Sequence, residues 1–261
     1  MNAQVEQYLT GRVAMITGGF NGIGKATVRA LADRGAAVAI GARTIDESFV
    51  TTIRDTGGQV FAASLDVRDP TSVANFIDDM EGALGPADVL VNAAGITAHE
   101  YVCGHGEASW IDVIDTNLSG PFRTARACLP GMIERGWGRI INIGSTAART
   151  ATSDHAAYCA SKSGLLGLSR ALALEGAPHG VSCVVVSPTW VETDMLRNSM
   201  ATQAERHGIS VEEETAAMVA DTPQKRLVQP EEIAATVAFL CRDEALGITM
   251  EDIQVNAGAW W

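Results

Sequence analysis

Short apolar runs alternate with amphipathic stretches along most of the chain. Arg12 to Ile16 reads as a strand. A glycine cluster at Gly18, Gly19, Gly22 and Gly24 follows it, and then helical spacing from Ile23 through Leu31. Ala37 to Ile40 predicts a second strand and Asp46 to Asp55 a helix. Val60 to Ser64 leads through Asp66 to a helix beginning around Pro70 and Thr71, where proline suits the first turn. The alternation continues with a strand at Val89 to Val91, a helical region within Ala108 to Glu134 and a strand at Arg139 to Ile143. A helix around Ala157 to Glu175, a strand at Val181 to Val186, a helix at Glu231 to Leu240 and a strand at Ile253 to Val255 complete it.

These strands are too continuously apolar to leave one face wet, so each should be buried on both sides. The predicted fold is therefore α/β: a single doubly wound, Rossmann-like domain over residues 1–261, with a seven-stranded parallel sheet and helices on both faces. Glu192 to Gln229 departs from the rhythm and is rich in polar and acidic residues. It is expected to be a substrate lid (192–229) or a solvated insertion.

Composition narrows the classes. Hydrophobic residues make up 47% and charged residues 19%, which suits a packed domain and excludes extensive disorder. A net charge of -12 repels a phosphate backbone, so nucleic acid is not an expected partner. The five cysteines are scattered without a CxxC pair, which signals neither a disulfide framework nor a metal cluster and suits a reducing cytoplasm. The sequence shows no apolar run long enough for a membrane span, and no membrane partner is expected.

Candidate chemistry sits at the ends of the strands. Thr17, Gly18, Asn21, Gly22, Ile23 and Gly24 lie between a strand and a helix, where glycines let a dinucleotide phosphate approach backbone amides; a plain tight turn is the alternative. Asn92, Ala93, Ala94 and Gly95 form another close turn, and Asp66 is placed either to contact an adenine or to cap a turn. After the second strand, Ala42 stands where an acid would hold the ribose of NAD, while Arg43 can pair with the extra phosphate of NADP or remain solvated. NADP(H) is thus the favoured cofactor and NAD(H) the alternative. Tyr158 and Lys162 are four residues apart and share a helix face, so the ammonium can ease formation of a phenolate. Ser145 follows the preceding strand and can donate to a reacting oxygen.

Taken together, these motifs resemble the short-chain dehydrogenase/reductase family over nearly the whole chain. The resemblance implies that Tyr158 is the general acid or base, that Ser145 polarises the substrate oxygen, and that Lys162 binds the nicotinamide ribose and lowers the tyrosine pKa. It implies that Asn117 holds a water of a proton relay, that Asp66 and Val67 contact adenine, and that Pro188 and Thr193 lie at the nicotinamide. The proline-glycine step frequent in the family reads Pro188-Thr189 here, which alters backbone freedom and pocket volume. No metal is expected.

The late loops should line the substrate pocket, with Ile96, Ala147, Ala148, His155, Trp190 and Met195 as candidates. Trp190 can cover a substrate or pack a lid; His155 can bind a polar substituent or be a satisfied loop histidine. The terminal Trp260 and Trp261 suit a subunit boundary or intrachain burial, and the family resemblance raises the expectation of a homotetramer. The leading expectation is an NADP(H)-linked oxidoreductase that interconverts a secondary alcohol and a ketone, with a small-molecule alcohol or ketone as its partner. An NAD(H)-dependent alcohol dehydrogenase, a 3-oxoacyl thioester reductase and a non-catalytic nucleotide-binding regulator are the alternatives.

Overall fold

The computed structural model describes residues 5–259, so Trp260 and Trp261 lie outside the described residues. The strands are β1 Val13–Thr17, β2 Ala37–Ala42, β3 Val60–Ser64, β4 Val89–Asn92, β5 Gly138–Ile143, β6 Val181–Pro188 and β7 Asp252–Val255. The helices are α1 Gly22–Ala32, α2 Glu47–Asp55, α3 Pro70–Leu84, α4 Glu107–Ile114, α5 Gly120–Arg135, α6 Ala156–Gly176, α7 Asp194–His207, α8 Val211–Asp221 and α9 Pro230–Leu240. The sheet has seven strands, all parallel, in the order β3-β2-β1-β4-β5-β6-β7.

Strand alternation builds two cores. Ala14 and Ile16 of β1, Val89 and Val91 of β4, and Val184 and Val186 of β6 face one side, against Val28 and Leu31 of α1 and Ile233 and Val237 of α9. Val13 and Met15, Leu90, and Val181 and Cys183 face the other side, against Phe76 and Met80 of α3 and Leu129 and Met132 of α5. A strand with apolar residues on both faces has no wet side, as its continuous apolar run predicts. The chain order reverses between β1 and β4, so the connections leaving their carboxyl ends run to opposite faces of the sheet and leave a crevice there.

Two regions differ from simple periodicity. The helical region expected within Ala108 to Glu134 is divided by a π-helical turn at Asp115–Ser119 between α4 and α5. Pro121 has no N–H to donate to the carbonyl of Asn117, so the i→i−4 ladder cannot run through this point. The turn buries Thr116 and Asn117.

The polar stretch after β6 folds into α7 and α8. Helix α7 buries Leu196, Ser199, Met200 and Ala204, whereas α8 buries none of its residues and is held at its start by a capping box between Ser210 and Glu213. The excursion closes on itself at a parallel bridge between Val191 and Val228. There Val228 N donates to Trp190 O at 2.9 Å and Glu192 N to Val228 O at 3.0 Å. Among the described residues, no helix is long and apolar enough to cross a membrane.

Candidate active site

The turn after β1 is shaped by contacts that only glycine permits. Gly18 has φ +68, and a Cβ there would lie 2.8 Å from Ala94 Cα; a Cβ on Gly24 would lie 2.3 Å from Gly18 O. Thr17 Oγ1 accepts hydrogen bonds from Ala93 N at 3.2 Å and Ala94 N at 3.1 Å, which ties the β1 turn to the β4 turn. Helix α1 then starts at Asn21, whose side chain makes no capping bond, and its first turn carries no acid. Its amides face a cavity lined by Gly18, Asn21, Gly22, Arg43, Asp66 and Val67. Unspent amides, no negative side chain and close backbone approach together fit a dinucleotide phosphate.

Asp66 lines this cavity but is already engaged. Arg68 donates from Nε to Oδ1 at 3.0 Å and from Nη2 to Oδ2 at 2.7 Å, and these bonds hold the Asp66 carboxyl down to about 2. Arg43 is exposed and makes no hydrogen bond or ion pair among the described residues, which leaves its guanidinium free for a phosphate. Thr17 and Asn92, read from the sequence as cofactor contacts, line neither this cavity nor the adjoining one. Asn92 is buried, donating to Asn142 Oδ1 at 2.8 Å and accepting from Thr124 Oγ1 at 2.7 Å, so its side chain joins strands and helix. Ala93 and Gly95 of the same turn do line the cavity.

Ser145, Tyr158 and Lys162 meet in the adjoining cavity, which shares Ile23, Ala93, Gly95, Thr193 and Met195 with the first. Ser145 caps a short 3-10 turn after β5 and accepts from Ala147 N at 3.1 Å. Burial pushes the Tyr158 phenol above its usual value, opposed by a hydrogen bond with Ser145, so the phenol is protonated at neutral pH. Lys162 Nζ donates to Ile143 O at 2.7 Å and lies 5.6 Å from the centre of the Tyr158 ring; burial lowers this lysine to about 8. In this arrangement its ammonium holds a main-chain carbonyl rather than the phenol.

Asn117 sits on the π-turn behind them. Its Oδ1 accepts from Ile96 N at 2.9 Å, while its Nδ2 donates to Ile96 O at 2.9 Å and Ser161 Oγ at 3.1 Å. Both side-chain donors are spent, so only acceptor capacity is left for a water. Thr193 caps α7 through Oγ1, which accepts from Leu196 N at 3.3 Å, and a Cβ on Gly22 would lie 2.8 Å from its methyl group. The excursion is thereby rooted on the glycine cradle.

Ala147, His155, Pro188, Trp190 and Met195 line the second cavity. Ile96 does not; it faces the cofactor-type cavity, because Asn117 grips both polar groups of its peptide. Ala148 is buried behind the wall.

A cluster that the sequence reading missed closes the rim. Asp154 is buried and accepts from His155 Nδ1 at 2.6 Å, Gln203 Nε2 at 2.9 Å, Arg206 Nη1 at 2.7 Å and His99 Nδ1 at 3.3 Å. His99 Nε2 in turn meets Ser199 Oγ at 2.7 Å. The partners come from the loops after β4 and β5 and from α7; the adjacency of Asp154 and His155 is the only local trace of the cluster.

This cluster ties stability to pH. Burial and the neighbouring His155 lower the His99 pKa, while at Asp154 burial raises it and is outweighed by hydrogen bonds from Gln203 and His155, leaving it at about 2. Both groups bind fewer protons folded than unfolded, so stability rises with pH. The His99 contribution is complete above the unfolded imidazole value of about 6.5 and is lost as pH falls below it. That of Asp154 follows from about pH 3.9 downward. The urea midpoint should therefore fall between about pH 7 and pH 5, and His99→Gln should flatten that slope. A parent midpoint that stays level over this range would contradict the assignment.

A family model described as short chain dehydrogenase matches residues 12–223. The 3-oxoacyl-[acyl-carrier-protein] reductase FabG of Escherichia coli (strain K12) is 37% identical over 250 residues, covering 96% of this chain and 98% of the relative. The enzyme of the same name from Vibrio cholerae is 38% identical over 252 residues, covering 97% of this chain and 98% of the relative. Among solved structures, a variant of actinorhodin polyketide ketoreductase with NADPH superposes with a TM-score of 0.91 at 34% identity, covering 99% of this chain and 98% of that one.

Proposed function

The chain belongs to the short-chain dehydrogenase family, and from that premise we propose that it reduces a keto group with NADPH, its preferred substrate being a 3-oxoacyl thioester. The observation that carries this reading is the half-buried, protonated Tyr158 beside Ser145, in a cavity continuous with the glycine cradle. A phenol that retains its proton at neutral pH is in the state needed to give it to a carbonyl oxygen. The relatives favour the 3-oxoacyl thioester, held as an alternative on sequence grounds, over a plain alcohol and ketone pair.

Bound NADPH would supply the hydride. Gly18, Gly22 and the start of α1 would hold its pyrophosphate, and Arg43 the additional phosphate. Ser145 would donate to the substrate oxygen and orient it towards Tyr158, which gives up the phenolic proton as negative charge develops there. Lys162 would stabilise the resulting phenolate, and Asn117 would offer its remaining acceptor capacity to a water that resupplies the proton. Residues 192–229 would act as a lid, anchored by Thr193 and by the Asp154 cluster. A cytoplasmic homotetramer completes the reading: the five thiols are unpaired, and Ile111 of α4 and Phe122 of α5 are exposed apolar side chains suited to a subunit contact.

The test is oxidation of NADPH, followed by its absorbance, with an acetoacetyl thioester as acceptor. Turnover that needs both components supports the reading; nucleotide binding without turnover across ketones and thioesters would reject it. Replacing Arg43 by Ala should reduce the kcat/KM preference for NADPH over NADH by about tenfold or more, the worth of a charge-assisted hydrogen bond. An unaltered preference would show that Arg43 does not touch the phosphate.

A further inference from the structure

The rim cluster has a proton arrangement with a direction. Asp154 is ionised and can only accept, so His155 must carry its proton on Nδ1, which lies 2.6 Å from Asp154 Oδ1. In the neutral ring Nε2 is then the lone-pair acceptor, and it has no hydrogen-bond partner among the described residues. His99 Nδ1 lies 3.3 Å from Asp154 Oδ2 and 3.2 Å from Gln203 Nε2, and its Nε2 shares one hydrogen bond with Ser199 Oγ at 2.7 Å. The Ser199 oxygen is left with acceptor capacity. Both His155 and Ser199 line the substrate cavity, and the His155 ring stands edge-on to the Tyr158 ring with centroids 6.2 Å apart.

Asp154 thus gathers donors from His155, Gln203 and Arg206, which turns His155 Nε2 away from the carboxylate. The same cavity is lined by Thr97 and Thr189, whose buried hydroxyls have no partner. Unpaired polar atoms next to an apolar wall of Trp190, Met195 and Leu196 call for a ligand that is itself partly polar. His99, Asp154 and His155 also have the composition of a metal site. However, Arg206 lies 2.7 Å from the shared carboxylate and opposes a cation there.

We propose that His155 and Ser199 form an acceptor pair that recognises a hydroxyl group on the keto substrate, at a position separate from the carbonyl that is reduced. This rests on the keto-reductase reading and narrows it: the substrate class is a hydroxyketone or a hydroxylated 3-oxoacyl chain. Asp154 is a positioning residue, acting through the tautomer it imposes on His155. Thr189, standing where related chains often have glycine, adds a hydroxyl that can serve the same polar segment.

The experiment compares kcat/KM for NADPH-dependent reduction of cyclohexanone with that for 2-, 3- and 4-hydroxycyclohexanone, and runs an acetoacetyl thioester in parallel. The parent protein should favour one hydroxy isomer over cyclohexanone by about tenfold, the worth of one hydrogen bond to an otherwise unpaired group. His155→Leu should bring that ratio close to one, and His155→Gln, which keeps an acceptor oxygen, should restore part of it. Should His155→Leu fail to fold, Ser199→Ala removes one small hydroxyl and should lower the same ratio. A parent ratio of one or less, or a ratio retained in both His155→Leu and Ser199→Ala, overturns the proposal. If the thioester is still reduced in that case, only the acceptor pair is rejected; if no carbonyl compound is reduced, the keto-reductase reading falls with it.

Discussion

Replacing Tyr158 by Phe is expected to lower kcat for keto reduction by roughly 10²- to 10⁴-fold, the usual worth of a positioned general acid. The substitution removes one oxygen and leaves the ring, which packs edge-on against His155. Shape is preserved while the proton is lost. Ser145 keeps its bond from Ala147 N, and Lys162 keeps its bond to Ile143 O, so neither is left stranded. NADPH affinity, followed by fluorescence titration, should change far less than kcat. A variant with the parent kcat would remove Tyr158 from the chemistry.

The second large effect is expected at Gly24. In an exposed helix interior, exchanging glycine for alanine is stabilising by about 1 kcal/mol. At Gly24 the sign reverses, because the new methyl would lie 2.3 Å from the carbonyl oxygen of Gly18 and 3.1 Å from Gly19 Cα. Neither is the end of a flexible side chain. The turn itself must move, at a cost of about 1–3 kcal/mol for forced overpacking. Gly24→Ala should therefore lower the urea midpoint and weaken NADPH binding together. Gly82 in α3 is the control: a Cβ there meets nothing within 4 Å, so Gly82→Ala should raise stability by about 0.5–1 kcal/mol. Equal effects at the two glycines would contradict the crowding of the cradle.

The sheet was legible in the sequence because each strand obeys one local rule. Val13 through Ile16 are apolar without a break, and burial on both faces follows from that run alone. Tyr158 and Lys162 were legible for a similar reason, since a spacing of four on a helix fixes a shared face. What stayed hidden depends on partners far along the chain. Asp154 receives donors from residues 49 and 52 positions later, on a helix that the sequence presents only as a polar stretch. Thr17 and Asn92 sit in motifs that mark the right turns, but strand pairing decides which atoms of a turn face outward. Pairing turned Asn92 towards Asn142 and Thr124. The π-turn under Asn117 escaped notice because one missing N–H at Pro121 leaves the apolar pattern intact.

The bridge between Val191 and Val228 separates two kinds of evolutionary change. Everything between these residues leaves and re-enters the body of the protein through one narrow neck, held by main-chain bonds that do not depend on side-chain identity. Lengthening a loop costs only about 0.6 kcal/mol per doubling, so the part of the segment around α8, which buries none of its residues, can be lengthened at small cost to the sheet. Ser145, Tyr158 and Lys162 all lie outside the neck, whereas Ser199, Gln203 and Arg206 lie within it. The reacting groups thus lie outside the neck and Ser199, with the donors that hold Asp154, inside it, so a graft of residues 194–227 from a relative, which leaves Thr193 and His155 in place, is a route to new substrates with the chemistry retained.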